Sequence, residues 1–345
     1  MSIKKVSPRT LNEWVEVLLQ DQTVYGIQEI CDGDRFGFEL LNHAKDLRLD
    51  YDVALTAPKK FFQPPCEALL TFNEKGDYAS AVEAEPFILF GVHPYDMVAI
   101  NQMDDVHSKD FEDVHYTQRR NNATIVAVDV QKPSPNVFAG CMKTATVDEG
   151  FDILLTLIGD DTYVVDARTD KGEALMKKLP RHGEVDDCIL ARREQVWSDA
   201  QRFLCKHDLK CDPAELPSLL EQSYDHPVWE KKADMCYSCG SCVLVCPTCY
   251  CFDVQDDVNW DLKSGERQRK WDGCMLEQFA TVAGDHNFRP KRADRFRHRF
   301  YRKGKYLHDR FGHIACVGCG RCITACTTNI ANPVEIYNTL LEDYE

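Results

Sequence analysis

The chain of 345 residues has no apolar run long enough to cross a bilayer. Its opening residues, MSIKKVSPRTLNEW, lack the apolar segment of an export signal. We therefore predict a cytoplasmic protein with no membrane contact. Cysteines are kept reduced in that compartment. The seventeen cysteines are thus expected to be metal ligands or buried thiols rather than disulfides.

Positive charge is also scarce, since 41 lysines and arginines face 56 aspartates and glutamates, for a net charge of −15. This balance argues against nucleic acid as a general partner. The familiar catalytic patterns are missing as well: there is no glycine-rich phosphate loop after a strand, no G-x-S-x-G and no H-E-x-x-H. The sequence therefore offers no visible site for flavin, nicotinamide, nickel or sirohaem.

What the chain does have is two cysteine runs of identical spacing, about eighty residues apart. The first is Cys236, Cys239, Cys242 and Cys246, followed by Pro247. The second is Cys316, Cys319, Cys322 and Cys326, followed by Thr327. Both read C-x2-C-x2-C-x3-C, the spacing by which bacterial-type ferredoxins hold cubane clusters. Three cysteines at two-residue gaps can wrap one cubane, and the fourth, one helical turn further on, can reach another. The runs therefore predict two 4Fe-4S clusters.

Other uses of cysteine remain as alternatives. Structural zinc usually takes two separated C-x2-C pairs, four ligands in all, rather than two quartets. Cysteines without ligand spacing are expected to be small buried hydrophobes: Cys31, Cys66, Cys188, Cys205 and Cys211. Three more lie near the runs: Cys249, Cys251 and Cys274. A third cluster there would need a fourth ligand that the sequence does not identify, so buried thiols beside the clusters are the favoured interpretation.

One stretch between the runs is strongly basic, with these nine cations: Arg289, Lys291, Arg292, Arg295, Arg297, Arg299, Arg302, Lys303 and Lys305. Within it, Phe296, Phe300, Leu307 and Phe311 recur at helical spacing, which predicts an amphipathic basic helix. The charges either form a solvated face or face the anionic clusters or an acidic partner. In the second case they would raise the reduction potential of a cluster.

Residues 1–225 are expected to form an α+β or α/β domain without an obvious cofactor site. A helix is predicted from Ser7-Pro8 through Leu19, because a serine cap and an early proline are typical of helix starts. Pro86–Val92 and Ala123–Val130 are continuous apolar runs, which predict buried strands. His93 is a lone histidine, expected to be packed rather than a ligand.

Residues 226–345 are expected to form a mostly α-helical dicluster ferredoxin domain. The boundary is placed at His226-Pro227, which breaks the pattern, and no strand is evident after Glu230. The fourth cysteine of each run is expected to open or to sit on a helix. A last helix is predicted from Asn332-Pro333 through Leu341.

Several stretches together resemble one family. They are CPTCYCFDV at Cys246–Val254, WDGCM at Trp271–Met275, AGDHNFRP at Ala283–Pro290, CVGCGRC at Cys316–Cys322, LRLDYDVALTAPKKFFQPP at Leu47–Pro65 and GVHPYDMVAI at Gly91–Ile100. The family comprises the β subunits of cytoplasmic nickel–iron hydrogenases (sulfhydrogenases) and the A-type iron–sulfur subunits of anaerobic sulfite reductases. The resemblance covers nearly the whole chain.

The resemblance implies an electron-transfer subunit that is not an enzyme on its own. Its partners would be a flavin (FAD) subunit that handles NAD(P)H and a catalytic metal subunit of the nickel–iron hydrogenase or sulfite reductase type. Carried over to this sequence, one 4Fe-4S cluster would be held by Cys236, Cys239, Cys242 and Cys326. The other would be held by Cys316, Cys319, Cys322 and Cys246.

Two other functions remain open at this point. A reductase acting at its own cluster would need an open coordination position, whereas each run is complete. A disulfide-reductase-like complex would use this chain as a relay again, because the C-C-G motif of the catalytic subunits is missing.

The chain departs from the family pattern at two places. Thr327 replaces the proline that usually follows the last cysteine, which removes no ligand. Relatives often carry cysteines in the blocks that correspond to Tyr95, Val130, Val137 and Ala139, and Cys141 close by could not hold a cluster alone. We therefore expect the N-terminal half to be a docking platform without a cluster. An iron content near twelve rather than about eight atoms per chain would contradict this.

Overall fold

The computed structural model describes residues 2–30, 35–159 and 161–343. Cys31 lies outside the described residues. The strands of the two larger sheets are β1 (Ile3–Val6), β2 (Val24–Ile30), β3 (Arg35–Leu40), β4 (Cys66–Phe72), β5 (Tyr78–Ser80), β6 (Phe87–Val92), β7 (Ala123–Val128), β8 (Ile153–Leu157), β9 (Tyr163–Ala167), β10 (Gly183–Glu184), β11 (Phe252–Val258) and β12 (Gly265–Trp271). Two short strands, β13 (Thr281–Val282) and β14 (His286–Asn287), pair with each other.

The helices are α1 (Pro8–Leu19), α2 (Pro94–Ser108), α3 (Val114–Asn122), α4 (Asp170–Met176), α5 (Asp187–Phe203), α6 (Leu216–Gln222), α7 (Val228–Ala233), α8 (Ser241–Leu244), α9 (Arg292–Tyr301), α10 (Leu307–Phe311), α11 (Arg321–Thr324) and α12 (Pro333–Glu342). The helices predicted at both ends of the chain are confirmed. Ser7 caps α1 and Asn332 caps α12, each accepting a backbone N–H of the first turn.

An eight-stranded mixed sheet forms the centre of the N-terminal half, in the order β10-β1-β9-β8-β7-β6-β2-β3. Its middle strands β8, β7, β6 and β2 run parallel, and antiparallel strands close both edges. The apolar runs of β6 and β7 lie side by side, with Leu89 opposite Ile125, and both residues are fully buried. A parallel strand buried on both faces explains why these runs carry no alternation of polar residues. The mixed α/β class is confirmed.

The expectation of a mostly helical C-terminal part is wrong, because β11 and β12 form a hairpin after the first cysteine run. This hairpin joins β4 and β5 in a four-stranded antiparallel sheet, in the order β11-β12-β4-β5. Every residue of β11 is exposed, so no apolar face indicated the strand. Its ladder is held by backbone pairing and by ion pairs such as Arg267–Asp256 at 2.7 Å.

The division near residue 225 remains a prediction, and contacts cross it at two places. In the four-stranded sheet, β12 pairs with β4. A second apolar core, which surrounds the cysteine runs, takes Phe138 and Leu220 from one side and Trp229, Phe300 and Tyr337 from the other. Among the described residues, no helix has the length and apolar character needed to cross a membrane.

Candidate metal centres

The two cysteine loops are folded alike. Gly240 and Gly320 have φ of 76° and 77°, and each precedes a single-turn helix, α8 or α11. Two positions earlier in each loop, Ser238 and Gly318 also have positive φ, of 53° and 63°. These left-handed residues turn the chain sharply, so that successive cysteines can face a common space.

The fourth cysteine of each run lies beyond the helix, which corrects the expectation that it opens or sits on one. The third cysteine is in the helix, and α8 and α11 end at Leu244 and Thr324, two residues before Cys246 and Cys326. In the first run Pro247 follows, and proline has no N–H with which to continue a helix.

The eight cysteines line two separate cavities. The first cysteine site, with a cavity of about 400 Å³, consists of Cys236, Cys239, Cys242 and Cys326. The second cysteine site, with a cavity of about 450 Å³, consists of Cys246, Cys316, Cys319 and Cys322. Each site thus takes three cysteines from one run and the last cysteine from the other, which is the grouping that the crossover of dicluster ferredoxins requires. Ligation itself remains a prediction.

The walls of the two cavities differ in charge. Arg299, Lys303 and Tyr337 line the second cavity. The non-cysteine residues around the first cavity carry no charge and are Tyr237, Gly240, Ser241, Met275, Phe296, Thr327, Thr328, Ile330 and Ala331. The second site therefore has buried cations in its wall, and the first has none.

Two polar atoms at the second cavity lack partners among the described residues: Arg299 Nε and the Tyr337 hydroxyl, both buried. Arg299 also hydrogen-bonds the sulfur of Cys322, and neither Arg299 nor Lys303 pairs with a described carboxylate. A buried cation without an anion is costly. Four thiolate donors facing unpaired buried cations fit an anionic iron–sulfur cluster.

Burial raises the pKa of the Cys242, Cys316 and Cys319 thiols to about 12. The pKa of Cys246 instead lies well below its ordinary value, because Cys249 donates a hydrogen bond to its sulfur and Lys303 and Lys59 lie nearby. Buried thiols with raised pKa stay protonated unless a metal displaces the proton. Metal binding here is therefore expected to release protons.

The basic segment is a nearly continuous helix: α9, a π-helical turn at Arg302–Tyr306 and α10. Arg295, Arg299 and Lys303 follow each other at four-residue intervals, so they lie on one face, and all three are buried. The amphipathic helix is thus confirmed. Both interpretations of its charges apply, since Lys291 and Arg292 are exposed.

Two of the N-terminal stretches that carry the family resemblance support the second site, a role that sequence reasoning missed. Asp96, in GVHPYDMVAI, is fully buried and binds both terminal nitrogens of Arg321, at 2.6 and 2.7 Å. Arg321 also donates to the carbonyl of Ala54, at 2.8 Å. Because Arg321 lies between Cys319 and Cys322, this ion pair fixes the second loop on the N-terminal half. The only signal was an aspartate in an otherwise apolar helix.

The stretch LRLDYDVALTAPKKFFQPP makes similar contacts. Lys59, 4% exposed, donates to the carbonyl of Cys249 at 2.7 Å, and Gln63 donates to the carbonyl of Tyr250 at 3.1 Å. His93 is fully buried, as predicted, stacked on Tyr51 with ring centroids 3.8 Å apart. These polar contacts hold the segment that follows Cys246.

The remaining cysteines correct the compartment argument. Cys141 and Cys205 form a disulfide, with their Cα atoms 5.4 Å apart, because the hydrogen bond from Gly140 N to the carbonyl of Leu204 joins their two loops. The expectation of no disulfide is wrong for this pair. Cys66 and Cys188 are exposed, so they are not buried hydrophobes either, while Cys211 is partly buried.

The three cysteines near the runs lie close to the second site. Cys249 hydrogen-bonds Cys246, and the sulfur of Cys251 accepts a hydrogen bond from the backbone N–H of Cys274. Their role beside a cluster remains a prediction.

The four positions at which relatives often carry cysteine converge in space. Tyr95, Val137 and Ala139 are buried together in one apolar group, against which Val130 packs. Cys319 of the second site belongs to the same group. Apolar side chains fill this region here, and the absence of a cluster from the N-terminal half remains a prediction.

The chain is similar to known proteins over its whole length and over the cysteine region alone. A family described as a 4Fe-4S dicluster domain matches residues 235–330. Sulfhydrogenase 2 subunit beta of Pyrococcus furiosus is 32% identical over 333 residues, which cover 96% of each chain. The matched dicluster region contains both cysteine runs.

Proposed function

The chain belongs to the family of sulfhydrogenase β subunits, and from this premise we propose that it relays electrons through two 4Fe-4S clusters inside a multi-subunit oxidoreductase. The first cysteine site would hold one cluster and the second cysteine site the other. When bound, such a cluster takes up and releases one electron at a time. The single observation that carries the proposal is the crossed grouping of the eight cysteines around two cavities.

The protein's own contribution would be to hold the ligands and to control solvent around them. Cys319 is 8% exposed, and Val317 beside it is buried, so water is kept from the second site. Cys239 and Tyr237 are exposed, so the first site is within reach of the surface. We propose that the first site exchanges electrons with a partner subunit that docks on this face.

We further propose that the partners are a flavin subunit that handles NAD(P)H and a catalytic metal subunit of the nickel–iron hydrogenase or sulfite reductase type. The family membership supports this choice. The lack of a complete flavin, nickel or sirohaem motif in the sequence supports a relay rather than an enzyme.

The test is purification of the tagged chain from its native host without oxygen, followed by identification of the co-purifying subunits. We expect a flavoprotein and a metal-dependent catalytic subunit, with about eight iron atoms bound to this chain. Reduction of its clusters by NADH or NADPH should require the flavoprotein. If the chain emerged alone and turned over a substrate by itself, the relay function would be wrong. Co-purification with a disulfide reductase would favour the other relay.

A further inference from the structure

Positive charge is distributed unevenly between the two cysteine sites. Arg299 and Lys303 line the second cavity, with 4% and 8% of their surfaces exposed. The wall of the first cavity consists of uncharged residues. A cluster in the second site would therefore have two buried cations next to it.

The other buried cation of the second site does not add to this charge. Arg321 is held by Asp96 through two hydrogen bonds, so that pair is close to neutral. Within the described residues, neither Arg299 nor Lys303 has a carboxylate partner. Lys303 donates to the hydroxyl of Thr248 at 2.6 Å and to the sulfur of Cys249.

The positions of the two cations along the helix differ in an informative way. Arg299 hydrogen-bonds Cys322 of the second site and also interacts with Cys242 of the first. Lys303 lies one turn further on, where it interacts with Cys246 and Cys316 of the second site. Arg299 is thus placed between the sites, and Lys303 belongs to one of them.

Arg295, one turn before Arg299, is buried on the same face but directs its donors elsewhere. Its guanidinium binds the carbonyls of Arg289 and Pro290, at 3.0 and 2.6 Å, and the hydroxyl of Ser238, at 3.2 Å. It supports the backbone of the first loop without lining the first cavity.

Burial and charge act in opposite directions at the second site. Reduction adds one negative charge, which a buried site disfavours and nearby cations favour. We propose that Arg299 and Lys303 keep a cluster in the buried second site reducible, with Arg299 shared by both sites and Lys303 acting on the second alone. This inference rests on the proposed function, because it presupposes that both sites bind clusters.

The experiment is a redox titration of the anaerobically purified complex, followed by electron paramagnetic resonance. Arg299→Met and Lys303→Met remove one charge each with little change in volume, and Arg299→Lys restores the charge. Lys305→Met is the matched control, since Lys305 lies on the same helix but pairs with Glu221 and Asp309. A water-soluble paramagnetic lanthanide complex identifies the signal of the exposed first site by broadening it.

We expect Lys303→Met to lower the equilibrium constant for one-electron reduction of the second cluster at least tenfold, a shift of about 59 mV. The first cluster should keep its potential. Arg299→Met should lower the second cluster at least tenfold and the first about two- to threefold, and Arg299→Lys should recover most of both shifts. Lys305→Met should change neither cluster.

The proposal would be overturned if Lys303→Met shifted neither cluster or both equally, or if Arg299→Lys failed to recover the potential. Loss of the second cluster's iron in Lys303→Met but not in Lys305→Met would also overturn it, because the lysine would then act in binding. If instead the parent chain carried fewer than two reducible clusters, the proposed function would fail rather than this assignment.

Discussion

The two cysteine sites share one spacing and one loop geometry, yet one is a surface site and the other an interior site. Cys239 of the first site is exposed, and its neighbour Tyr237 is 74% exposed. The loop of the second site is pressed onto the N-terminal half, where Phe138 donates its backbone N–H to the carbonyl of Gly318 at 2.7 Å. The difference comes from residues between the cysteines, not from the cysteines themselves.

Corresponding positions in the two loops show how this is achieved. Where the first run has Ser238, the second has Gly318, which lets backbone approach. Where the first has Ser241, the second has Arg321, which binds Asp96 in α2. A ligand motif thus specifies what is bound, while the residues inside it specify where in the molecule the site lies.

The largest expected effect tests the crossing of ligands between the sites. Cys246→Ser should remove the cluster of the second site, although Cys246 belongs to the first run, and iron should fall from about eight to about four atoms per chain. The remaining signal should be the one that an aqueous paramagnetic ion broadens. Cys326→Ser should leave the other signal instead, and Cys188→Ser, at an exposed cysteine outside both sites, should change nothing. If Cys246→Ser left the protected signal, the crossed assignment would be wrong.

The next effect concerns the anchoring of the second loop alone. Asp96→Asn leaves the buried Arg321 guanidinium without its counter-ion, which is expected to lower the free energy of unfolding by about 3–5 kcal/mol. The matched control is Asp110→Asn, which breaks the exposed pair with Arg310 and should cost under about 1 kcal/mol. Denaturant unfolding of the metal-loaded chain, followed by circular dichroism, measures both. Equal costs for the two variants would show that the second loop is not anchored by this pair.

A smaller effect contrasts glycines that have the same conformation in the two loops. A Cβ on Gly318 would lie 2.6 Å from backbone atoms of Phe138 and Ala139, whereas one on Gly240 would first meet the side chain of Leu276, at 2.8 Å. Both positions have positive φ and carry the same conformational penalty. Gly318→Ala should therefore cost about 1–3 kcal/mol more than Gly240→Ala, because a side chain can move and packed backbone cannot. Thermal unfolding compares them, and equal losses would contradict the interior placement of the second loop.

Much of this arrangement could be predicted from the sequence, because it depends on local patterns. The cysteine spacing, the proline-led helices α1 and α12 and the apolar strands β6 and β7 each carry their signal within a few residues. The amphipathic basic helix was also visible, since its apolar positions recur every three or four residues.

The rest depended on partners distant in sequence. The strand β12 was invisible because its buried Arg269 is stabilised by Glu67, 202 residues earlier, and not by apolar burial. Likewise, Asp96 has no visible role until Arg321 is placed beside it, 225 residues later. The disulfide between Cys141 and Cys205 also joins two loops that share no pattern. Long-range polar pairs leave no periodicity to read.

The smallest effect is expected at Ser238, where the first loop tolerates a side chain that the second excludes. Ser238→Gly removes a left-handed non-glycine residue, φ 53°, which should gain about 1–2 kcal/mol. It also loses the hydrogen bond from Arg295 and adds backbone freedom to the unfolded chain, which should cost a similar amount. The net change in the free energy of unfolding is therefore expected to stay within about 1 kcal/mol, measured by denaturant unfolding beside Gly318→Ala. A loss above about 2 kcal/mol would mean that the Arg295–Ser238 contact anchors the first loop as firmly as Asp96 anchors the second, and the contrast between a surface and an interior site would then rest on solvent exposure alone.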